Sequence, residues 1–128
     1  MTVSDNKELV RRYLEAISGK PKPAAVVNLY VNDKPLAEHI EAAETGFPLY
    51  ELVAEDLIAE GDLVAVRARM RGEHLGPFMG LPPSGKKIDI PLFLTYRIAG
   101  GKIVDHWMVS DNLTMLQQLG VVPAPAQP

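Results

Sequence analysis

The chain has 128 residues, 47% of them hydrophobic and 23% charged, the composition of one globular domain with a single core. A net charge of −3 with both signs interspersed offers no basic face to nucleic acid or an anionic membrane, and the lack of cysteine excludes disulfides and thiolate chemistry. The start MTVSDNKELV has no signal-peptide pattern, and no run approaches the ~18 apolar residues of a membrane span, so a soluble, cytoplasmic protein is expected.

Asp5 followed by Glu8 has capping-box spacing, and Leu9, Val10, Tyr13, Leu14 and Ile17 form one apolar stripe. A first helix therefore runs to Gly19, where Lys20–Pro23 breaks it. Ala24–Val31 suits a short second helix packed on the first. Asn32-Asp33 caps a third, with Pro35 in its first turn, Gly46 past its end, and Leu36, His39, Ile40 and Ala43 on one face.

From Leu49 the pattern turns extended. Tyr50–Glu60 is a strand closed by the turn Glu60-Gly61-Asp62. In Leu63–His74, Val64, Val66, Ala68 and Met70 face inward and Arg67, Arg69 and Arg71 outward, and the same parity turns His74 inward. Gly76–Gly85 is a turn-rich excursion. Lys87–Ile98 is the next strand, with Ile88, Ile90, Leu92, Leu94, Tyr96 and Ile98 on one face and Pro91 marking a bulge or unpaired stretch. After the hairpin turn Ala99-Gly100-Gly101, Ile103, Asp105, Trp107 and Val109 fall on one face and Val104, His106 and Met108 on the other. From Asn112 the spacing becomes helical, gathering Leu113, Leu116 and Leu119 before the stop at Gly120. Residues 1–122 read as a single domain, and the Pro- and Ala-rich tail 123–128 as disordered.

Helices first, then four hairpin-linked strands and a closing helix, make an α+β fold: a cone-shaped, curved antiparallel sheet whose concave face the N-terminal helices cover. Such a cone encloses an apolar cavity, the default place for a small molecule.

Two stretches carry a family resemblance. RGEHLGPFMGLPPSGKKI, residues 71–88, resembles the R-G-x-H-x-G-x-x-x-G-x-P-P-T-G signature of the SnoaL-like polyketide cyclases, within the nuclear-transport-factor-2-like superfamily. YRIAGGKIVDHWMVSDNLTMLQQLG, residues 96–120, is similar to their closing strand and helix. The resemblance implies proton transfer next to a carbonyl with neither metal nor cofactor, in ring closure by intramolecular aldol condensation or in an isomerisation. One aspartate removes a proton next to a carbonyl and returns it to the product oxygen. It implies Asp111 as that acid/base, His74 as the signature histidine, and Asp105-His106 as the acid–histidine pair ahead of it. Leu92 and Leu94 stand where the founding cyclases carry a glutamine and a histidine, which points to a more apolar substrate.

The residues themselves leave alternatives open. Asp111 is placed either as a general base, its pKa raised by a dry pocket, or as the N-cap of the closing helix. His74 is either a donor that assists Asp111 or a core histidine. Parity separates His106 from Trp107 and Asp111 unless a bulge intervenes. His39 hangs over the cavity mouth from the third helix. Trp107, Tyr96, Leu92, Leu94, Met70, Phe78, His39 and Tyr30 are the candidate substrate-binding residues. The scattered histidines give no metal-ligand cluster. The expected partner is a small apolar or aromatic carbonyl-containing molecule, turned over or merely bound. A homodimer through the outer face of the sheet is also expected.

Overall fold

A computed structural model describes residues 2–123; all but the first residue of the expected tail lies outside them. Three helices, α1 (Val3–Ile17), α2 (Ala24–Tyr30) and α3 (Lys34–Gly46), precede four strands, β1 (Glu51–Glu60), β2 (Leu63–Glu73), β3 (Lys87–Ala99) and β4 (Lys102–Ser110), and a closing helix α4 (Asn112–Gln118). The strands form one curved antiparallel sheet in sequence order, β1-β2-β3-β4.

The helix starts follow from side-chain capping. Thr2, rather than Asp5, caps α1: its hydroxyl accepts from the Asp5 N–H and the Asp5 carboxylate from the Thr2 N–H. Asp33 caps α3 ahead of Pro35, and Asp111 caps α4. Leu119 is buried as expected, together with Met115, while Leu113 is exposed, so the buried face after β4 is shifted toward Met115.

The core lies between α1 and the inner face of the sheet. Val10, Tyr13, Leu14 and Ile17 of α1 are buried against Val64, Val66 and Ala68 of β2 and Ile90 and Tyr96 of β3. Each such side chain contributes roughly 1.5–3 kcal/mol by leaving water. Outward arginines pair with acids on neighbouring strands, Arg67 with Asp56 and Arg69 with Asp89, both at 2.7 Å.

Of the two features of β3 and β4 that bear on which residues face inward, only the second alters the register. Pro91 stays in the ladder opposite Arg69, and its carbonyl accepts from the Asp111 N–H. Its missing donor therefore faces the side where β4 has ended, and no ladder bond is lost. In β4, Ile98 pairs with Ile103 but Arg97 with Asp105, so Val104 is an extra residue. This bulge reverses the parity beyond it. Ile103 is fully buried, yet His106 and Met108 then turn inward and Trp107 and Val109 outward.

Candidate functional site

Between α3 and the inner face of β3 and β4 opens a cavity of about 810 Å3. Its floor and walls are Tyr13 of α1, Tyr50, Leu52, Met70 and the β3 row Ile90, Leu92, Leu94 and Tyr96. Leu36, His39, Ile40 and Ala43 line it from α3, Phe78 from the loop after β2, and Met108, Ser110, Asn112 and Met115 from the β4–α4 joint. His39 is exposed at the mouth, with Glu38 and Glu41 beside it.

The polar contacts that hold α3 over the cavity lie at its two ends. At the first, Asp33 Oδ2 accepts a 2.7 Å hydrogen bond from His106 Nδ1, with side chains only 6% and 10% exposed, and the His106 ring meets that of His39 edge to face at 5.5 Å. At the second, the buried ammonium of Lys22 binds Glu44 at 2.8 Å and lies over the Tyr50 ring. There Gly46 O accepts from Leu75 N and Gly76 N. A Cβ at Gly76 would run into the Thr45 carbonyl, so this signature glycine serves the close approach of loop and helix.

Six of the sequence-derived candidates line the cavity together: Tyr96, Leu92, Leu94, Met70, Phe78 and His39. Four do not. Trp107 is turned to the outer face by the Val104 bulge and stacks with Arg97 at 5.3 Å. Tyr30 packs on Tyr13, ring centroids 6.2 Å apart, outside the lining.

His74 is buried beside the cavity without lining it. Its Nδ1 accepts from Ser84 N at 3.2 Å and lies 3.0 Å from Ser84 Oγ, and its ring stacks on Phe47. Accepting a backbone N–H fixes the proton of the neutral ring on Nε2, which has no partner among the described residues. These bonds anchor the Pro-Pro-Ser-Gly loop to the end of β2, so in this structure His74 organises the loop and is not paired with Asp111.

Asp111 stands between two lining residues, Ser110 and Asn112, but its own side chain faces solvent. Oδ1 accepts from Thr114 N at 3.0 Å and Oδ2 from Thr114 Oγ1 at 2.7 Å. The Thr114 hydroxyl and then its N–H hold the Asp111 pKa below the ordinary 3.8, opposite to the rise a dry pocket would give.

The floor of the cavity is where sequence reasoning fell short. The Tyr96 hydroxyl is buried with no hydrogen-bond partner among the described residues, a loss of about 1–3 kcal/mol for such a group. Tyr13, not singled out beyond its helix stripe, meets Tyr96 edge to face at 5.8 Å and lines the same floor. Burial pushes both phenols up from the ordinary 10.0, so both remain protonated donors. Neither the apolar stripe of α1 nor the inward row of β3 gives warning that each brings a phenol to the same cavity.

Asp33, Asp105 and His106 bring three potential metal donors within 4.8 Å of one another. The hydrogen bonds of Asp33 to His106 Nδ1 and of Asp105 to the His106 N–H account for that arrangement. No helix of the described chain is long and apolar enough to cross a membrane.

Residues 28–119 match the family model of the SnoaL-like polyketide cyclases. The aklanonic acid methyl ester cyclase DauD of Streptomyces sp. (strain C5) is 29% identical over 134 residues, covering 92% of this chain and 83% of that protein. Among solved structures, AclR of Streptomyces galilaeus superposes with a TM-score of 0.84 at 24% identity, over 98% of this chain and 87% of its own. A SnoaL-like polyketide cyclase of Agrobacterium tumefaciens C58 does so at 0.73 and 19%, over 94% and 100%. These two likenesses speak to the fold alone.

Proposed function

The chain belongs to the SnoaL-like polyketide cyclase family, and from that premise we propose that it closes a ring by intramolecular aldol condensation on a small, largely apolar carbonyl ester. The observation that carries this reading is the cavity itself: walls of Leu92, Leu94, Met70 and Phe78, a polar floor at Tyr96, and a lining that includes Ser110 and Asn112, the neighbours of Asp111. Its volume suits a compact polycyclic or aryl substrate, and the relative named as a methyl ester cyclase supports an ester of that kind.

In this scheme the Asp111 carboxylate leaves Thr114, turns from solvent toward the cavity, and takes a proton from the carbon between two carbonyl groups. That carbon bonds to the carbon of a third carbonyl group, whose π bond opens to an alkoxide, and the alkoxide recovers the proton from the Asp111 carboxyl. The substrate is isomerised and nothing is consumed. Because Asp111 is ionised and only weakly basic, the scheme requires an activated carbon acid.

The test uses aklanonic acid methyl ester with the wild type and Asp111→Asn. Ring-closed product from the wild type, and a kcat about 10²-fold or more lower in the variant at similar KM, is the expected result. Equal turnover by the two proteins removes Asp111 from the chemistry.

A second reading, binding without turnover, is favoured by the Thr114 bonds to Asp111 and by leucines at 92 and 94. It predicts saturable binding of the ester by the wild type and no product. We further propose that the outer face of the sheet, where Phe93, Trp107 and Val109 are exposed, joins two copies of the chain.

A further inference from the structure

An unpartnered hydroxyl in a dry cavity is costly to keep, and phenylalanine would fill the Tyr96 position with the same ring. Tyr96 sits on β3 among Leu92, Leu94 and Ile90, none of which offers a side-chain acceptor or donor. Across from it, Tyr13 approaches from α1, its ring edge to face with that of Tyr96 at 5.8 Å and its hydroxyl the one polar group that acts on the Tyr96 hydroxyl through a side-chain hydrogen bond. A pair of hydroxyls held in a low-dielectric site, with no acceptor beyond each other, is arranged for an oxygen that arrives with a ligand.

We propose that the Tyr96 and Tyr13 hydroxyls form an oxygen-binding subsite at the cavity floor, which takes a carbonyl, enol or phenolate oxygen of an aromatic substrate. The subsite rests on the reading of this cavity as the substrate site, and holds whether the ligand is turned over or only bound. Two donors without an acceptor favour an oxygen carrying negative charge over a neutral hydroxyl, since charge-assisted hydrogen bonds are the stronger ones. The charged groups around the cavity are the Asp33 carboxylate, bonded to His106, Glu38 and Glu41 in its lining, and the Lys22–Glu44 pair against Tyr50. Asp33 raises the Tyr13 pKa further, which keeps that phenol in the donor form. Bound end-on, the substrate would present its far end to Ser110 and Asn112 at the mouth. The subsite thus selects aryl ketones and phenols whose oxygen lies at the leading end.

The test uses 4-nitrophenol, whose anion is read by its visible absorbance, and 4-nitrotoluene, the same shape without the oxygen. Wild type is expected to prefer 4-nitrophenolate, and Tyr96→Phe to weaken that binding about tenfold while leaving 4-nitrotoluene unchanged. Tyr13→Phe with Tyr96→Phe should abolish the preference. Tyr96→Phe is also expected to melt at a higher temperature than wild type, because it removes a buried hydroxyl that has no partner; a merely structural tyrosine would melt lower. If wild type shows no preference for the phenolate, or Tyr96→Phe keeps it, the subsite does not exist. That failure is separate from failure of the cyclase reading, which is scored by ring closure of the methyl ester and by Asp111→Asn.

Discussion

Tyr13, Tyr50 and Tyr96 give the protein a marked response to alkali. Burial raises all three pKa values above 10.0, with the neighbouring tyrosine adding to the rise for Tyr13 and Glu44 for Tyr50. Below pH 10 these phenols are protonated in both folded and unfolded chains. Above it the unfolded chain releases its protons first, so the stability they contribute is lost as pH rises. The expected outcome is that their phenolate absorbance appears together with loss of the far-ultraviolet circular dichroism, and not before it. Gradual ionisation in a chain that stays folded would contradict the burial. At this scale the sequence is legible where side-chain type fixes the environment: inward parity correctly buried His74 and Tyr96. It is silent where a bond partner decides. Asp111 before a helix reads equally as base or cap, and only the distances to Thr114 show the cap in place.

At the level of elements, β4 shows how one residue changes a site. Strict alternation from Ile103 sets Trp107 inward and His106 outward; the bulge at Val104 exchanges them. Nothing in the strand's composition marks the bulge, since valine fits a regular ladder equally well. The consequence is that His106, on β4, reaches Asp33 at the start of α3 and helps to fix that helix over the cavity. His106→Ala would leave the Asp33 carboxylate largely buried with that bond unmade, at a cost of about 2–4 kcal/mol in urea-unfolding free energy. His106→Gln, which can still donate to Asp33, should recover part of the loss, and His106→Phe, which fills the volume without donating, should not. If Phe rescues as well as Gln, the ring matters for packing and the α3 anchor lies elsewhere. The helix and strand order, by contrast, is written plainly in the chain, because a stripe at helical spacing and a period of two survive any single irregularity.

For the whole molecule, the outer sheet face poses the remaining question. Two cross-strand rows run over it: Ile58, Ala65, Thr95 and Trp107, and beside them Asp56, Arg67, Phe93 and Val109. In a single chain Phe93 is 57% and Val109 72% exposed, and neither contributes to the core. Adjacent apolar side chains on a pleated face, bordered by arginines already paired within the chain, suit a self-complementary contact about a two-fold axis. Sedimentation of wild type at twice the 14.0 kDa chain mass is expected. Val109→Glu changes a side chain that water already surrounds, so the single chain should keep its fold. Two copies would then oppose like charges across the axis, and sedimentation should fall to one chain mass. Binding of 4-nitrophenol by that monomer should persist, because Phe93, Trp107 and Val109 lie on the face of the sheet opposite the β3 residues Ile90, Leu92, Leu94 and Tyr96 that line the cavity. A wild type that sediments as one chain would assign these rows to solvent, and a variant that loses both dimer and ligand would tie the cavity to the interface.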